Sequence, residues 1–170
     1  MRDRAAIALV VASLWLTGCA TAPHIGSPVD AATLAALDTD VAPDGRGLPA
    51  GRGSAALGAT LYEKTCAQCH ESPVVPALWG GIGSLHRIPP QRSVGSYWPY
   101  ATTLYDYIAR AMPPGAPHPL APSALYALTA YVLAQNGIVP RDASLDATTL
   151  PKILMPNRDG FDVVPSDPKP

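Results

Sequence analysis

Residues 66–70 read Cys66-Ala67-Gln68-Cys69-His70. This run constrains the chain more than any other feature, because C-x-x-C-H is the attachment signature of a c-type haem. Two thiols three positions apart can each add to one of the two vinyl groups of a single porphyrin. The adjacent imidazole is then delivered to one axial position of the iron. Five residues thus imply a covalent cofactor, an oxidising compartment for its attachment, and one-electron chemistry. The motif occurs once, which predicts a single haem.

The cysteine count narrows the reading further. Of the 3 cysteines, Cys66 and Cys69 go to the haem. Cys19 closes Leu16-Thr17-Gly18-Cys19, the order of a lipobox. Arg2 and Arg4 precede an apolar run from Ala5 to Leu16. That run is shorter than the ~20 apolar residues of a membrane span, and it suits a signal peptide. Cleavage before Cys19 would remove residues 1–18 and leave the thiol diacylglycerated. A second acyl chain then makes stable an anchor that one chain alone would leave marginal. The alternative is an ordinary secretory signal with a chance cysteine; both export the protein. Neither leaves a thiol for a disulfide, a catalytic thiolate or a cysteine haem ligand, so haem and core must hold the fold together. Loss of Arg2, Asp3 and Arg4 leaves the mature chain slightly acidic, and haem propionates add to this. Such a surface gives no support for nucleic acid as a partner.

Three stretches have helical periodicity. Ser54 to Cys66 places Leu57, Leu61 and Tyr62 on one face, with Ser54 as N-cap. Thr102 to Ala111 carries the stripe Leu104, Tyr107, Ile108 and Ala111, and Thr103 with Asp106 resembles a capping box. Pro122 to Gln135 places Leu125, Leu128, Thr129 and Val132 on one face, with Pro122 at the first turn and Asn136-Gly137 as a left-handed stop. A shorter helix is predicted over Asp30 to Leu37, while Asp44-Gly45 and Gly51-Arg52-Gly53 read as turns. With 20 prolines and 14 glycines and no strong strand pattern, the chain reads as mainly α with long, rigid loops. Composition alone makes residues 20–53 a linker and the residues after Pro140 a polar tail.

The order helix, C-x-x-C-H, loops, helix, Met, helix resembles the class I monohaem cytochromes c over about Ser54 to Gly137. The resemblance implies that fold, three to four helices around one covalently bound haem. It also implies site residues. Pro76-Ala77-Leu78-Trp79-Gly80 matches the P-x-L-x-G pattern, in which the Pro76 carbonyl would accept the His70 Nδ1–H and make the imidazole a better donor to iron. Met112, in Ala111-Met112-Pro113-Pro114 just before the last helix, would be the sixth ligand, and a thioether there raises the potential. Met155, His24, His86 and His118 are the other candidates, and Met112 could instead be a core methionine. Gly58, Tyr62, Leu128 and Tyr131 fit the close crossing of first and last helices seen in this family. Tyr97-Trp98-Pro99-Tyr100 reads first as core at the haem edge. A second reading has Trp98 Nε1–H, Tyr97 OH or Arg92 bonded to a haem propionate, which needs such donors when buried.

Longer runs resemble a narrower group, the cytochrome subunits of bacterial sulfane and sulfite dehydrogenases (SoxD-like and SorB-like). They are Pro43 to Pro49, Gly95 to Ile108, Ala127 to Leu133 and Met155 to Phe161. This resemblance turns both Pro-rich flanks into ordered extensions. The expected layout is a lipoprotein signal peptide over 1–18, a lipid-anchored tether over 19–24, an N-terminal arm over 25–53, the cytochrome domain over 54–139 and a C-terminal extension over 140–170. It implies single-electron transfer on the periplasmic side of a bacterial membrane, from a molybdenum-cofactor dehydrogenase subunit to an acceptor cytochrome c or oxidase, with no catalysis by this chain alone. A general lipid-anchored respiratory cytochrome c is the alternative, and a haem sensor or peroxidase-like enzyme a third reading.

Overall fold

A computed structural model describes residues 26–115 and 120–162. The leader over 1–18, Cys19, the tether over 19–24, His24 and His118 lie outside the described residues. The chain forms two units, with the boundary between Asp38 and Thr39. The first contains helix α1, Ala31–Leu37, where the Asp30 carboxylate caps the helix by accepting from Thr33 N at 2.9 Å. No residue of α1 is buried.

The second unit contains strand β1 (Arg52–Ser54), helices α2 (Ala55–Thr65), α3 (Ala67–His70), α4 (Val94–Tyr97), α5 (Ala101–Ala111) and α6 (Pro122–Gln135), then strand β2 (Ser144–Asp146) and a 3-10 turn at Leu150–Lys152. Helix α6 is the axis of the unit. Its residues from Leu125 to Ala130, with Val132 and Leu133, are all buried, so it is apolar all round as a helix enclosed by neighbours must be. Pro122 opens it and Gly137, at φ +69°, follows it, as the sequence predicts.

Helix α2 begins where expected, with Ser54 Oγ accepting from Leu57 N at 3.2 Å. Its buried face keeps Tyr62 and the expected crossing residue Gly58, with Ala55 beside them, but Leu57 departs from the expectation and is 47% exposed. A Cβ at Gly58 would collide with the Ala127 carbonyl and with Cβ of Tyr131. The two helices therefore meet backbone to backbone, and the small residues define the interface, not the leucines. Tyr62, Trp79 and Tyr131 close around the crossing, with Tyr62–Tyr131 and Tyr62–Trp79 centroids 5.1 and 5.5 Å apart.

Two local expectations are corrected. Gly51-Arg52-Gly53 does not make a turn: Arg52–Ser54 pairs antiparallel with Ser144–Asp146, with Gly53 opposite Leu145. Gly53 lies so close to Ser123 and Ala127 of α6 that a side chain would clash, and the partner strand is too distant in sequence for a local pattern to show it. Thr103 and Asp106 form no capping box. Tyr100 is the N-cap of α5, without a side-chain bond. Asp106 instead accepts from Val41 N at 3.0 Å and pairs with Arg110, which also reaches Asp40. Thr102 Oγ1 donates to the Pro43 carbonyl at 3.2 Å and Tyr126 OH to that of Pro49 at 2.8 Å. Residues 40–49 are thus fastened to α5 and α6.

The chain after α6 is equally well seated. Leu145, Leu150 and Met155 are buried. Leu154 bridges to Tyr100, Asn157 Nδ2 donates to the Tyr97 carbonyl at 2.7 Å, and Phe161 meets the Tyr97 ring at 5.2 Å.

Gly58→Ala should destabilise the holoprotein by about 1–3 kcal/mol or more through overpacking, whereas Leu57→Ala should change stability by no more than about 0.5 kcal/mol; denaturant unfolding measures both. Arg52, and after it Thr148 and Thr149, hold the Asp146 carboxyl well below the usual carboxylate range. A depressed folded pKa contributes stability above the unfolded value, about 3.9, that is lost as pH falls. Asp146→Asn should therefore be less stable than wild type at pH 7, and the gap should close below about pH 4, as read from unfolding midpoints.

Candidate haem site

The C-x-x-C-H run forms one helical turn. Cys66 ends α2, its N–H bonded to the Tyr62 carbonyl at 2.8 Å, and its own carbonyl accepts from Cys69 N and His70 N at 3.1 and 3.0 Å. Positions i, i+3 and i+4 share one side of such a turn, so both thiols and the imidazole face the same way. That side is hollow. Three adjoining cavities, the largest about 440 Å³, all have His70 and Met112 in their walls. Cys66 lines two of them and Cys69 one. A further cavity of about 270 Å³, lined by Ala55, Ala59 and Arg141, holds none of the predicted site residues.

Met112 follows the last residue of α5, and its N–H still bonds the Ile108 carbonyl at 3.2 Å. Met155, by contrast, is only 3% exposed within the hydrophobic core and lines none of the three cavities. His86 is exposed and is also absent from their walls. Of the candidate axial residues that are described, the structure brings only Met112 to His70.

Burial lowers the pKa of His70 from its ordinary value, favouring the neutral imidazole that can ligate a metal. His70 Nδ1 is buried with no hydrogen-bond partner among the described residues. Pro76 lines the same cavity, but the expected bond from Nδ1 to its carbonyl is not formed. The turn in which Val75 N bonds the Ser72 carbonyl at 3.2 Å carries the chain from His70 to Pro76. Tyr62 OH is likewise buried without a partner. Burial, with Glu71, Cys66 and Tyr131 nearby, pushes its pKa up to about 12 and keeps it a donor. A pocket that joins two thiols, a neutral imidazole, a thioether and aliphatic walls fits haem c.

Arg92, Tyr97 and Trp98 all line the largest cavity. The Arg92 guanidinium stacks over the Tyr97 ring, 5.3 Å from its centroid, and Trp98 meets Tyr107 edge-on at 5.4 Å. The aromatic cluster is thus wall and rim at once.

Several wall residues were not singled out from sequence as part of a site. Leu104, Tyr107 and Ile108 are the predicted stripe of α5, and the face they form covers the cavity. Leu128 and Val132 do the same from α6. Leu78 is the leucine of the P-x-L-x-G run, and Val94 carries no local signal; both line the cavity. They are positioned by polar side chains: Asn136 Nδ2 donates to the Leu78 carbonyl at 3.1 Å, and Asn136 Oδ1 accepts from Gly80 N at 3.3 Å. Ser93 caps α4 in a reciprocal box with Ser96 and donates to the Gly80 carbonyl at 2.6 Å. The pattern Ser93-x-x-Ser96 was the available clue to this helix.

A mainly helical unit with the C-x-x-C-H turn at the end of its first long helix, and a methionine ahead of its last, defines a class I c-type cytochrome. The model of the family "cytochrome c oxidase, cbb3-type, subunit III" matches residues 53–132. A chain in the crystal structure of the sulfane dehydrogenase SoxCD from Paracoccus pantotrophus is 39% identical. The match covers 85% of this chain and 73% of that one, with a TM-score of 0.76. No curated protein matches. The chain belongs to the class I c-type cytochromes, whose cofactor is haem c, and it resembles the cytochrome subunit of SoxCD.

Met112→Ala should abolish the far-red absorption band of a thioether–iron bond. Met155→Ala should leave that band intact and cost about 2–5 kcal/mol of stability as a buried truncation. Absorption spectra and unfolding curves of the two variants separate ligand from core.

Proposed function

We propose that this chain is an exported, membrane-tethered monohaem cytochrome. It takes single electrons from a molybdenum-cofactor dehydrogenase subunit acting on sulfite or a related sulfur compound, and delivers them to another cytochrome c or an oxidase. The observation that carries this reading is the placement of His70 and Met112 on shared cavities, in a chain matched over most of its length by a chain of SoxCD.

Cys66 and Cys69 would hold the group through thioethers, and His70 and Met112 would be the side chains that ligate its iron. Bound there, haem c supplies reversible one-electron exchange at iron. A thioether from Met112 would favour the ferrous state and so raise the potential. Leu104, Ile108, Leu128 and Val132 exclude water from the pocket, which strengthens every charge interaction inside it. With Met112 as a ligand the iron would have no open position of the kind a peroxidase needs, which favours electron transfer over catalysis as the role of this chain. Tethering rests on Cys19, since no described helix is long and apolar enough to cross a membrane. A lipid there would hold the carrier on the periplasmic side of a bacterial membrane.

Co-purification with the dehydrogenase subunit, followed by sulfite or a sulfane donor, should reduce the haem at one electron per chain. Reduction only by other respiratory donors would overturn the dedicated partner in favour of a general lipid-anchored cytochrome c. Cys19→Ser should move the protein from the membrane to the soluble periplasmic fraction with its haem spectrum unchanged.

A further inference from the structure

Met112 is the C-cap of α5. Pro113 and Pro114 follow it, and neither has an N–H with which to fasten the chain beyond. The place of the thioether is therefore set by the helix that precedes it. The buried residues of α5, Ala101, Thr102, Leu104 and Tyr105, all lie in its first half. Its second half lies between the haem cavity and the N-terminal arm. Tyr107 and Ile108 line the cavity. Thr102, Asp106 and Arg110, spaced four apart, form another stripe of the helix, and each bonds the arm.

Thr102 Oγ1 donates to the Pro43 carbonyl, the Asp106 carboxylate accepts from Val41 N, and Arg110 joins Asp106 to Asp40. The side chain of Asp106 is only 14% exposed, against 47% for Arg110 and 72% for Asp40. An exposed ion pair contributes little by itself. A largely buried carboxylate that accepts a backbone N–H makes the stronger kind of bond, so Asp106 is the fastening point and Arg110 supports it. The arm arrives preformed. Ala42 N bonds the Arg46 carbonyl and Gly45 N the Ala42 carbonyl, both at 2.9 Å. Gly47 has φ +90°, and a Cβ there would run into the Asp40 carbonyl. Residues 40–47 thus close on themselves and present Asp40 and Val41 to α5. They precede the span 53–132 that the family model matches.

We propose that the arm is a brace for the iron-ligating methionine. Asp40 and Val41, acting through Asp106 and Arg110, hold the last turn of α5 so that Met112 keeps its place when an external ligand competes for the iron. All four are positioning residues, since none lines the cavities shared by His70 and Met112. A side chain of the same molecule competes with a free ligand by its effective concentration, which falls when the segment carrying it gains freedom. The inference rests on Met112 as the ligand and adds what retains it there.

The test titrates the ferric full-length holoprotein with imidazole and follows loss of the far-red thioether–iron band, at equilibrium and by stopped flow. Val41→Pro removes the N–H donor, and Asp106→Ala removes its acceptor. Gly47→Ala disturbs the arm while leaving α5 unaltered, and it replaces Val41→Pro if that variant fails to fold. Each should bind imidazole about tenfold more tightly, the equivalent of one charge-assisted hydrogen bond lost, and more quickly. Asp146→Asn is the control. It also loses a well-bonded carboxylate, but on β2, and it should bind imidazole as wild type does. If the arm and Asp106 variants match wild type, the brace is wrong. If Asp146→Asn tightens imidazole binding as much as they do, retention of Met112 follows overall stability alone and the brace is again wrong. If wild type itself has no far-red band, Met112 is not the ligand and the inference falls with that assignment, whereas reduction by the dehydrogenase subunit is decided by the co-purification experiment.

Discussion

The contact on which the rest depends is the crossing of α2 and α6 at Gly58. With no side chain there, the helix backbone approaches the Ala127 carbonyl more closely than any other residue would allow. The crossing sets where α2 ends, and so where Cys66, Cys69 and His70 emerge. It also turns Leu128 and Val132 of α6 toward the same space. One close approach thus positions the attachment turn and one wall of the pocket together. The aromatic group of Tyr62, Trp79 and Tyr131 closes around it, adding ring contacts where the backbones leave little room for aliphatic packing.

Loops rich in Pro and Gly cannot order themselves by backbone ladders, because proline lacks the N–H donor. Here buried polar side chains take over that work. Asn136, at the end of α6, reaches the backbone of Leu78 and Gly80. Ser93 and Ser96 cap α4 and tie it to Gly80 and Gln91. Asp106 holds Val41. Each bond joins a loop to a helix, so the helices hold the loops that enclose the pocket. The segment after α6 completes the arrangement, since Asn157 and Phe161 rest on Tyr97 at the cavity rim. A segment whose composition reads as a polar tail is thereby part of the surroundings of the site.

Much of this was legible in advance where the signal is local. Asp30, Ser54, Pro122 and Gly137 act through their own backbone neighbourhoods, and their caps and stops appear where the sequence places them. The close crossing at Gly58 and the burial of Tyr62 were legible from the family resemblance; periodicity went astray at Leu57, because leucines dominate such a reading whereas a close crossing selects Ala55 and Gly58. Strand β1 was missed for a related reason: Gly53 reads as a turn residue until its partner strand and the flank of α6 are in place. Thr103 and Asp106 had capping-box spacing, but Asp106 found stronger partners in Arg110 and the Val41 N–H.

The sequence by itself determined the C-x-x-C-H turn, the three long helices and the short list of axial candidates, because these depend on residue type and on spacing within a few positions. Only the tertiary structure decided that Met112 lines the cavity of His70 while Met155 lies in the core. Both methionines precede a proline, so local pattern cannot separate them. What separates them is the path of the chain: the end of α5 leads into the hollow beside the crossing, and the segment after α6 buries its methionine in the core. Long-range packing alone sets those paths.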